Sequence, residues 1–491
     1  MLRLIIKQTN WSVFGALFGF VIGFFLKIYL LNIVSLDAWG RYVTAQTFAT
    51  AFDSILAIGI PFAIIKFIPT YLPENLDKAQ RMASLALRYA FIAGVFTLFL
   101  IFLFKDYINE TLYKQISDSN FSWILFIMSI HIPISLLLGY LTSLYRSVLR
   151  IKEIVLYGTL ITVTLRALFT ILFYQYTQTE DIFYFIIIEV ITQFFALSIL
   201  LFIFNRKVFS TFKKASVKEF ILDQKIVKYT SKLFLHSFIA FCAGYFLKLM
   251  ISLHLPANDI GAYNILLALT GLTTFLLIHL NKVFAPAIAK LYHENNILEL
   301  SILYKKTTFL INLITIPLAV LIVIFSTDIL SLYTQDLIEY ESFLLIMLIG
   351  GIFSTIAGSS GTIMLMAGLE KENIFLQVVK ASLVIVLSIY LIIYQKAGIL
   401  EFILINVILS FLMNATQLIL ISRYIKINPF SPLLIKLFLF TILCLSLVFW
   451  MKTQSFDFTL IHFILIPFIL YLLYIILFYS AIKGLLKDIL T

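Results

Sequence analysis

The sequence has 491 residues, of which 62% are hydrophobic and only 12% charged. A soluble globular domain carries about 25% charged residues, so this composition excludes a water-soluble protein and indicates one that folds in lipid. The net charge of +11 would suggest a nucleic-acid partner for a soluble protein. Here the basic residues follow a membrane topology instead, and no nucleic-acid partner is expected.

Fourteen apolar segments are long enough to cross a bilayer, which takes about 20 residues each. The predicted spans are 11–34, 40–66, 82–104, 121–145, 155–175, 182–204, 230–253, 259–283, 305–326, 341–367, 373–395, 399–422, 432–451 and 459–482. Basic residues concentrate in the even-numbered connections, which by the positive-inside rule places both termini in the cytoplasm. The predicted fold class is an all-α, multi-pass integral membrane protein with about 14 transmembrane helices.

A short motif occurs twice, 221 residues apart. The segment 23–27, GFFLK, matches 244–248, GYFLK. Further landmarks keep this offset: Gly40-x-Tyr42 with Gly261-x-Tyr263, Tyr71 with Tyr292, and Phe104 with Phe325. We therefore predict two parallel six-helix repeats, both beginning in the cytoplasm, followed by two extra helices.

The repeat gives the domain boundaries. A first six-helix bundle is predicted at 1–204 and a second at 230–426, with transmembrane helices 13 and 14 at 427–491. The connection at 205–229 carries lysines among apolar residues. It is expected to form an amphipathic helix on the cytoplasmic membrane surface or, alternatively, a solvated linker.

Lys27 and Lys248 occupy equivalent places in the two copies, each inside an apolar run. A lysine at the centre of a membrane helix costs roughly 2.5–3.5 kcal/mol on insertion scales. These two side chains either extend to the outer headgroups or face a water-filled cavity, where they would attract an anion. Asp53 corresponds to Thr274, so no acid is duplicated with the lysines. This difference favours the cavity.

Other charged residues inside spans are candidates for binding substrate or ions. Arg166 and Glu189 lie at similar depth in neighbouring spans, where they are predicted to form an ion pair. Asp53 and Glu189 are candidates for ion or proton coupling. Arg41 and Lys66, near the ends of the second span, fit interfacial anchors or further cationic residues of the cavity.

The remaining polar groups indicate no catalytic chemistry. Lys380 lies close enough to the cytoplasmic end of its span to be expected at the interface. The intramembrane histidines have no metal-ligand spacing, and the sequence contains no Walker motif, HExxH, GxSxG or Cys/His pattern. We expect no metal, no cofactor, no ATPase and no enzymatic activity.

The layout resembles the Wzx-type polysaccharide and oligosaccharide-lipid flippases of the multidrug/oligosaccharidyl-lipid/polysaccharide exporter superfamily. The resemblance covers essentially the whole chain. It is carried by the span plan, the repeat and these local features: Gly40-x-Tyr42, Ile58-Gly59-Ile60-Pro61, the stretch 64–71, Gly261-x-Tyr263, Pro286-Ala287-Ile288-Ala289 and Gly368-Leu369-Glu370-Lys371.

The resemblance implies a transporter of the bacterial cytoplasmic (inner) membrane. Its substrate would be an undecaprenyl-diphosphate-linked oligosaccharide, such as a repeat unit of lipopolysaccharide O-antigen, capsule or exopolysaccharide. Alternating access would carry it from the cytoplasmic to the outer leaflet. Helices 13 and 14 would form a groove for the lipid tail. Membrane lipids are expected partners, and other polysaccharide-assembly proteins are possible ones.

Two alternatives belong to other functional classes. A cation-coupled multidrug exporter of the same superfamily usually has twelve spans and binds cationic drugs through intramembrane acids. This chain has fourteen predicted spans and more intramembrane bases than acids, which favours the flippase. A membrane glycosyltransferase or polysaccharide polymerase would be expected to carry a large external loop, whereas the predicted loops are short.

Overall fold

In a computed structural model, the described residues are 2–57, 59–116, 119–211, 224–395, 397–453, 472–474 and 476–479. These residues form helices and contain no β-strand. The helices are α1 (Leu2–Leu31), α2 (Leu36–Leu56), α3 (Ile60–Glu74), α4 (Leu76–Leu112), α5 (Ser119–Ser129), α6 (His131–Ser147), α7 (Ile151–Glu153), α8 (Ile161–Thr177), α9 (Ile182–Lys207), α10 (Gln224–Gly244), α11 (Phe246–His254), α12 (Ala257–His293), α13 (Ile297–Ile324), α14 (Ser326–Ser331), α15 (Glu341–Ile356), α16 (Ser360–Met366), α17 (Glu370–Tyr390), α18 (Ile399–Tyr424) and α19 (Pro432–Thr453). Three further helical segments are the π-helices Ile154–Leu160 and Leu391–Gln395 and the 3₁₀ segment Gln335–Tyr340.

Length and composition identify the membrane spans. Among the described residues, ten helices are long and apolar enough to cross a bilayer, and the bent pair α2–α3 adds an eleventh. Large apolar side chains such as Phe91, Phe96 and Phe99 of α4 are exposed. A soluble protein rarely leaves such surface uncovered, whereas lipid solvates it. The predicted all-α membrane fold is confirmed. The last predicted span, 459–482, lies outside the described residues except at 472–474 and 476–479.

The second predicted span, 40–66, is in fact two helices. The chain bends by 45° between α2 and α3. Gly59 has a φ of +69°, which residues with a side chain rarely adopt, and Pro61 follows in the first turn of α3. Because α3 continues to Glu74, Lys66 lies in the middle of a helix. The helix that carries Lys66 therefore continues about two turns beyond the predicted end of the span.

The chain divides into two compact units, Met1–Ala262 and Tyr263–Thr491, here called unit 1 and unit 2. In unit 1, α4 packs against α3 and α6, α2 against α5, and α8 against α9. The segment predicted as a cytoplasmic linker, 205–229, is described at 205–211 and 224–229, where α9 ends and α10 begins. Its central residues lie outside the described part of the chain.

Unit 2 is built around α13. One face of this helix packs against α19 and two of the last described residues, Tyr474 and Phe478. The hydroxyl groups of Thr441 and Tyr474 are 2.7 Å apart and hydrogen-bonded. A second apolar cluster joins α12, α13, α16 and α18. The described part of 427–491 is therefore docked on the core of unit 2.

The first turns of α2 and α12 cross in unit 1 without room for a side chain. A Cβ atom on Gly40 would lie 1.7 Å from the carbonyl oxygen of Ala257, and one on Gly261 would lie 2.8 Å from that of Leu36. Gly40 and Gly261 are equivalent residues of the repeat, and Leu36 and Ala257 keep the same offset. In each copy, the glycine therefore contacts the residue that lies four positions before the equivalent glycine of the other copy.

Candidate functional site

A buried ion pair lies in the interior of unit 1. The Nη2 atom of Arg166 on α8 is 2.8 Å from Oε2 of Glu189 on α9. The Glu189 side chain is 3% exposed and that of Arg166 is 22% exposed. The ion pair predicted from the sequence is confirmed. Each charge makes the other tolerable at this depth, because an isolated buried charge costs several kcal/mol.

Three polar side chains surround this pair. The Tyr42 hydroxyl donates to Oε2 of Glu189 at 2.8 Å and is itself 3.2 Å from Nη2 of Arg166. Gln46, one turn after Tyr42 on α2, donates its Nε2 to the same hydroxyl at 3.0 Å. Nε2 of His131 on α6 lies 3.7 Å from the second Glu189 oxygen. We call these five residues the Arg166 cluster. Helices α2, α6, α8 and α9 all contribute to it.

Two lysines add positive charge beside the Arg166 cluster. Lys27 on α1 lies within electrostatic range of Arg166 and Glu189, and Lys248 on α11 lies within range of Lys27. Both lysines are half-buried. The structure therefore brings the two equivalent lysines of the repeat together. Arg166 and Lys27 lie within range of the Glu189 carboxylate, and Lys248 adds a further basic side chain beside Lys27, so basic side chains outnumber acidic ones in this group.

Arg41 and Lys66 each have a local partner. Nε of Arg41 lies 2.6 Å from Oδ2 of Asp37, one turn earlier on α2. The ammonium group of Lys66, whose side chain is exposed, lies 3.8 Å from the ring centre of Tyr229 on α10. This is a cation–π contact. The Arg41 contact stabilises the beginning of α2, and the Lys66 contact joins α3 to α10.

Asp53 has a separate environment. Its half-buried carboxylate lies near the hydroxyl group of Ser135 on α6, which donates to the carbonyl of Ile132 at 3.3 Å. Close by, the Tyr140 hydroxyl donates to the carbonyl of Ala57 at 3.0 Å. The role of Asp53 in ion coupling stays a prediction, and coupling would take place at this site and not at the Arg166 cluster.

Unit 2 contains a cavity of about 160 Å³ whose lining is uncharged. It lies between α12, α15 and α18 and is lined by Leu267, Thr270, Gly271, Thr274, Met347, Gly350, Gly351, Ser354, Asn406, Val407 and Ser410. The ammonium group of Lys380 on α17 donates to Oγ of Ser410 at 3.0 Å. The expectation that Lys380 extends to the membrane interface is therefore wrong, because its ammonium group is bonded inside unit 2.

Sequence reasoning missed the neutral members of these sites. Tyr42 was part of the repeated Gly-x-Tyr motif, and Gln46 lies one turn later on the same face of α2. That spacing was the available signal. His131 is one of the intramembrane histidines without metal-ligand spacing, and the structure adds its carboxylate neighbour. Among the described residues, no group of three or more potential ligands could hold a metal ion.

Comparison with protein families assigns the chain. The family model described as "Polysaccharide biosynthesis protein" matches residues 5–292, which is more than half of the sequence. The chain belongs to the polysaccharide biosynthesis protein family. A second family model, MatE, matches residues 233–390. No curated protein matches this chain.

Solved structures with a similar fold are transporters. The structure titled "Lipid II flippase MurJ, inward closed conformation" has a TM-score of 0.72 at 16% identity, covering 96% of this chain and 99% of that one. An inward-facing MATE family transporter of the MOP superfamily has a TM-score of 0.66 at 13% identity, covering 82% and 94%. A MOP superfamily transporter from Pyrococcus furiosus has a TM-score of 0.58 at 13% identity, covering 86% and 96%. These similarities show that this polysaccharide biosynthesis protein shares their fold.

Proposed function

We propose that this polysaccharide biosynthesis protein is a flippase for a polyprenyl-diphosphate-linked oligosaccharide. The observation that carries the proposal is the group of three basic residues, Lys27, Lys248 and Arg166, with Glu189 as the carboxylate beside Arg166 and Lys27. A diphosphate carries several negative charges next to an apolar chain, so it needs compensating cations at membrane depth. This group supplies such cations. Without an anion to compensate them, so many basic residues would be costly inside the membrane.

Each basic residue suits a different part of this task. Lysine ammonium groups are compact cations that bind phosphate as point charges, while a guanidinium group can present two parallel donors to phosphate oxygens. Arg166 is occupied by Glu189 and Tyr42 in this structure, whereas Lys27 and Lys248 are close enough to repel one another. An entering diphosphate would relieve this repulsion first and compete with Glu189 for Arg166 second.

The finer assignment follows the resemblance to Wzx-type flippases. The substrate would be an undecaprenyl-diphosphate oligosaccharide of the O-antigen, capsule or exopolysaccharide kind. It would move from the cytoplasmic to the outer leaflet of the bacterial cytoplasmic membrane, with both protein termini in the cytoplasm. The family match to polysaccharide biosynthesis and the fold shared with a lipid II flippase support this assignment.

Translocation in proteoliposomes tests the proposal. A fluorescent undecaprenyl-diphosphate oligosaccharide would be supplied to the wild type and to the double variant Lys27→Ala/Lys248→Ala. We expect the double variant to lose at least about 90% of transport while remaining folded, since each charged hydrogen bond is worth roughly 1.5–3 kcal/mol. Lys290→Ala is the matched control, because Lys290 is an exposed lysine 3.9 Å from Glu294.

Two results would contradict the proposal in different ways. Undiminished transport by the double variant would leave a flippase whose substrate does not use these lysines. A wild type that moves no lipid-linked oligosaccharide would contradict the flippase itself.

A cation-coupled drug exporter is the second candidate. It is favoured by the MatE match over 233–390 and by the half-buried carboxylate of Asp53 beside Ser135. Efflux of a cationic dye from cells tests it. Dye export that Asp53→Asn abolishes, without translocation of lipid-linked oligosaccharide, would establish this function in place of the flippase.

A further inference from the structure

We infer that the uncharged cavity of unit 2, together with Lys380, is a subsite for one anionic sugar of the transported glycan. The negative charge would be a carboxylate or a phosphate substituent on the sugar ring. This inference rests on the proposed function and specifies the substrate. It concerns a part of the chain separate from the Arg166 cluster.

The depth of Lys380 is the first step. Helix α17 begins at Glu370, so Lys380 lies ten residues along it, or about 15 Å at 1.5 Å per residue. The candidate span Glu370–Tyr394 has 25 residues, so Lys380 lies near the middle of its length. An intramembrane lysine is costly unless it meets an anion or a polar cavity. Among the described residues, no carboxylate acts on Lys380, and its hydrogen-bond partner is the neutral Ser410.

Ser410 links this cation to the cavity, because Lys380 itself is not a lining residue and its ammonium group meets the cavity wall at the Ser410 hydroxyl. Ser410, which accepts from Lys380, lines the cavity on α18, and Asn406 lies one turn earlier. Ser354 lines it on α15, donating to the carbonyl of Gly350 and accepting from the amide of Asn414. Each serine oxygen is thus held in place. Fixed hydroxyl and amide groups around one ammonium group suit a ligand that has several hydroxyl groups and one negative charge.

The cavity also has an unused hydrogen-bonding group and space for a ligand. Within the described chain the side-chain amide of Asn406 has no hydrogen-bond partner, so it can both donate and accept. Gly271 has open space where a side chain would begin, while Gly350 and Gly351 let α15 approach Val407 and Thr273 closely. A cavity of about 160 Å³ holds several water molecules, which suits a ligand of about one sugar ring. A longer glycan would have to extend beyond the cavity.

Two matched substrates test the inference. Both are undecaprenyl-diphosphate disaccharides, one ending in glucose and the other in glucuronic acid, and translocation is measured in proteoliposomes. We expect the wild type to prefer the glucuronic acid substrate. Lys380→Met should reduce its transport at least about tenfold, the loss of one charged hydrogen bond, and leave the glucose substrate within twofold. Lys380→Arg should keep the preference, and Lys290→Met should change neither rate.

A third substrate ending in glucose 6-phosphate separates the two sources of charge. Dependence on Lys380 for the phosphorylated sugar alone would assign the subsite to phosphate-substituted glycans, and dependence for glucuronic acid alone would assign it to sugar acids. Free glucuronate and glucose 6-phosphate, titrated onto the purified protein and followed by saturation-transfer NMR, provide a readout that requires no transport. Binding that Lys380→Met weakens supports the subsite.

The failures are distinguishable. A wild type that moves all three substrates equally, or a Lys380→Met variant that slows all three equally, would overturn the subsite while the flippase function stands. Equal slowing with a lowered unfolding temperature would make Lys380 a structural bond between α17 and α18. A wild type that moves none of the substrates would overturn the proposed function, and the subsite with it.

Discussion

The Arg166–Glu189 pair permits a quantitative test, because removing one partner should cost more stability than removing both. Arg166→Met leaves Glu189 buried at 3% exposure without its cation, which costs about 3–5 kcal/mol in comparable pairs. Glu189→Gln should cost less, since the amide oxygen still accepts from Tyr42 and Arg166 is partly exposed. In the double variant neither member of the pair is left as an unpaired charge, while Lys27 and Lys248 are present in all four members of the cycle. We expect it to be less destabilised than the sum of the single variants by about 2–3 kcal/mol.

The assay is reversible unfolding in mixed detergent micelles, repeated for the four members of the double-mutant cycle. The indole ring of Trp39 stacks on Tyr42 with ring centres 4.8 Å apart, so its fluorescence reports on this region. Lys105 and Asp106 form the control pair, since Asp106 is 68% exposed and such pairs contribute less than about 1 kcal/mol. Single-variant costs that add without coupling would refute the reasoning.

Three further predictions concern unit 1. Gly40→Ala should lower thermal stability and transport, because its Cβ would meet a backbone oxygen. The control Gly23→Ala, which has open space around it, should leave the unfolding temperature unchanged or raise it. Equal effects of the two substitutions would contradict the close approach. Tyr42→Phe should destabilise by about 1.5–3 kcal/mol in the same unfolding assay through loss of its bond to Glu189, and more than Tyr263→Phe at the equivalent position. Lys66→Met should lower stability by no more than about 1 kcal/mol, the value of an exposed cation–π contact, and a larger loss would assign Lys66 a further partner.

Hydropathy predicted the positions of most helices because a bilayer demands long apolar segments. The prediction 182–204 corresponds to α9 at Ile182–Lys207, and 399–422 corresponds to α18 at Ile399–Tyr424. The break between α2 and α3 escaped this reasoning. It depends on the backbone conformation of Gly59, and a single left-handed residue hardly changes the hydropathy of the segment around it.

The candidate site was predictable where charge marked it. Two opposite charges at equal depth indicated the Arg166–Glu189 pair, and the repeat indicated that Lys27 and Lys248 are related. Neutral polar groups such as Tyr42 carry no such signal, because their function depends on which helices meet. Lys380 was misplaced for a geometric reason. Its helix begins three residues before the predicted span, so the ammonium group lies deeper than expected and bonds to α18.

The crossing of α2 and α12 has a consequence for the origin of the duplicated chain. Gly40 meets Ala257 while Gly261 meets Leu36, so position 36 of one copy touches position 40 of the other in both directions. Contacts in which i meets j and j meets i define an isologous interface between two identical subunits. A single ancestral copy could have buried this glycine surface by forming a symmetric homodimer. Gene fusion would then have released each copy from the constraint of identity. The five residues of the Arg166 cluster now lie in the first copy, and the uncharged cavity lies in the second.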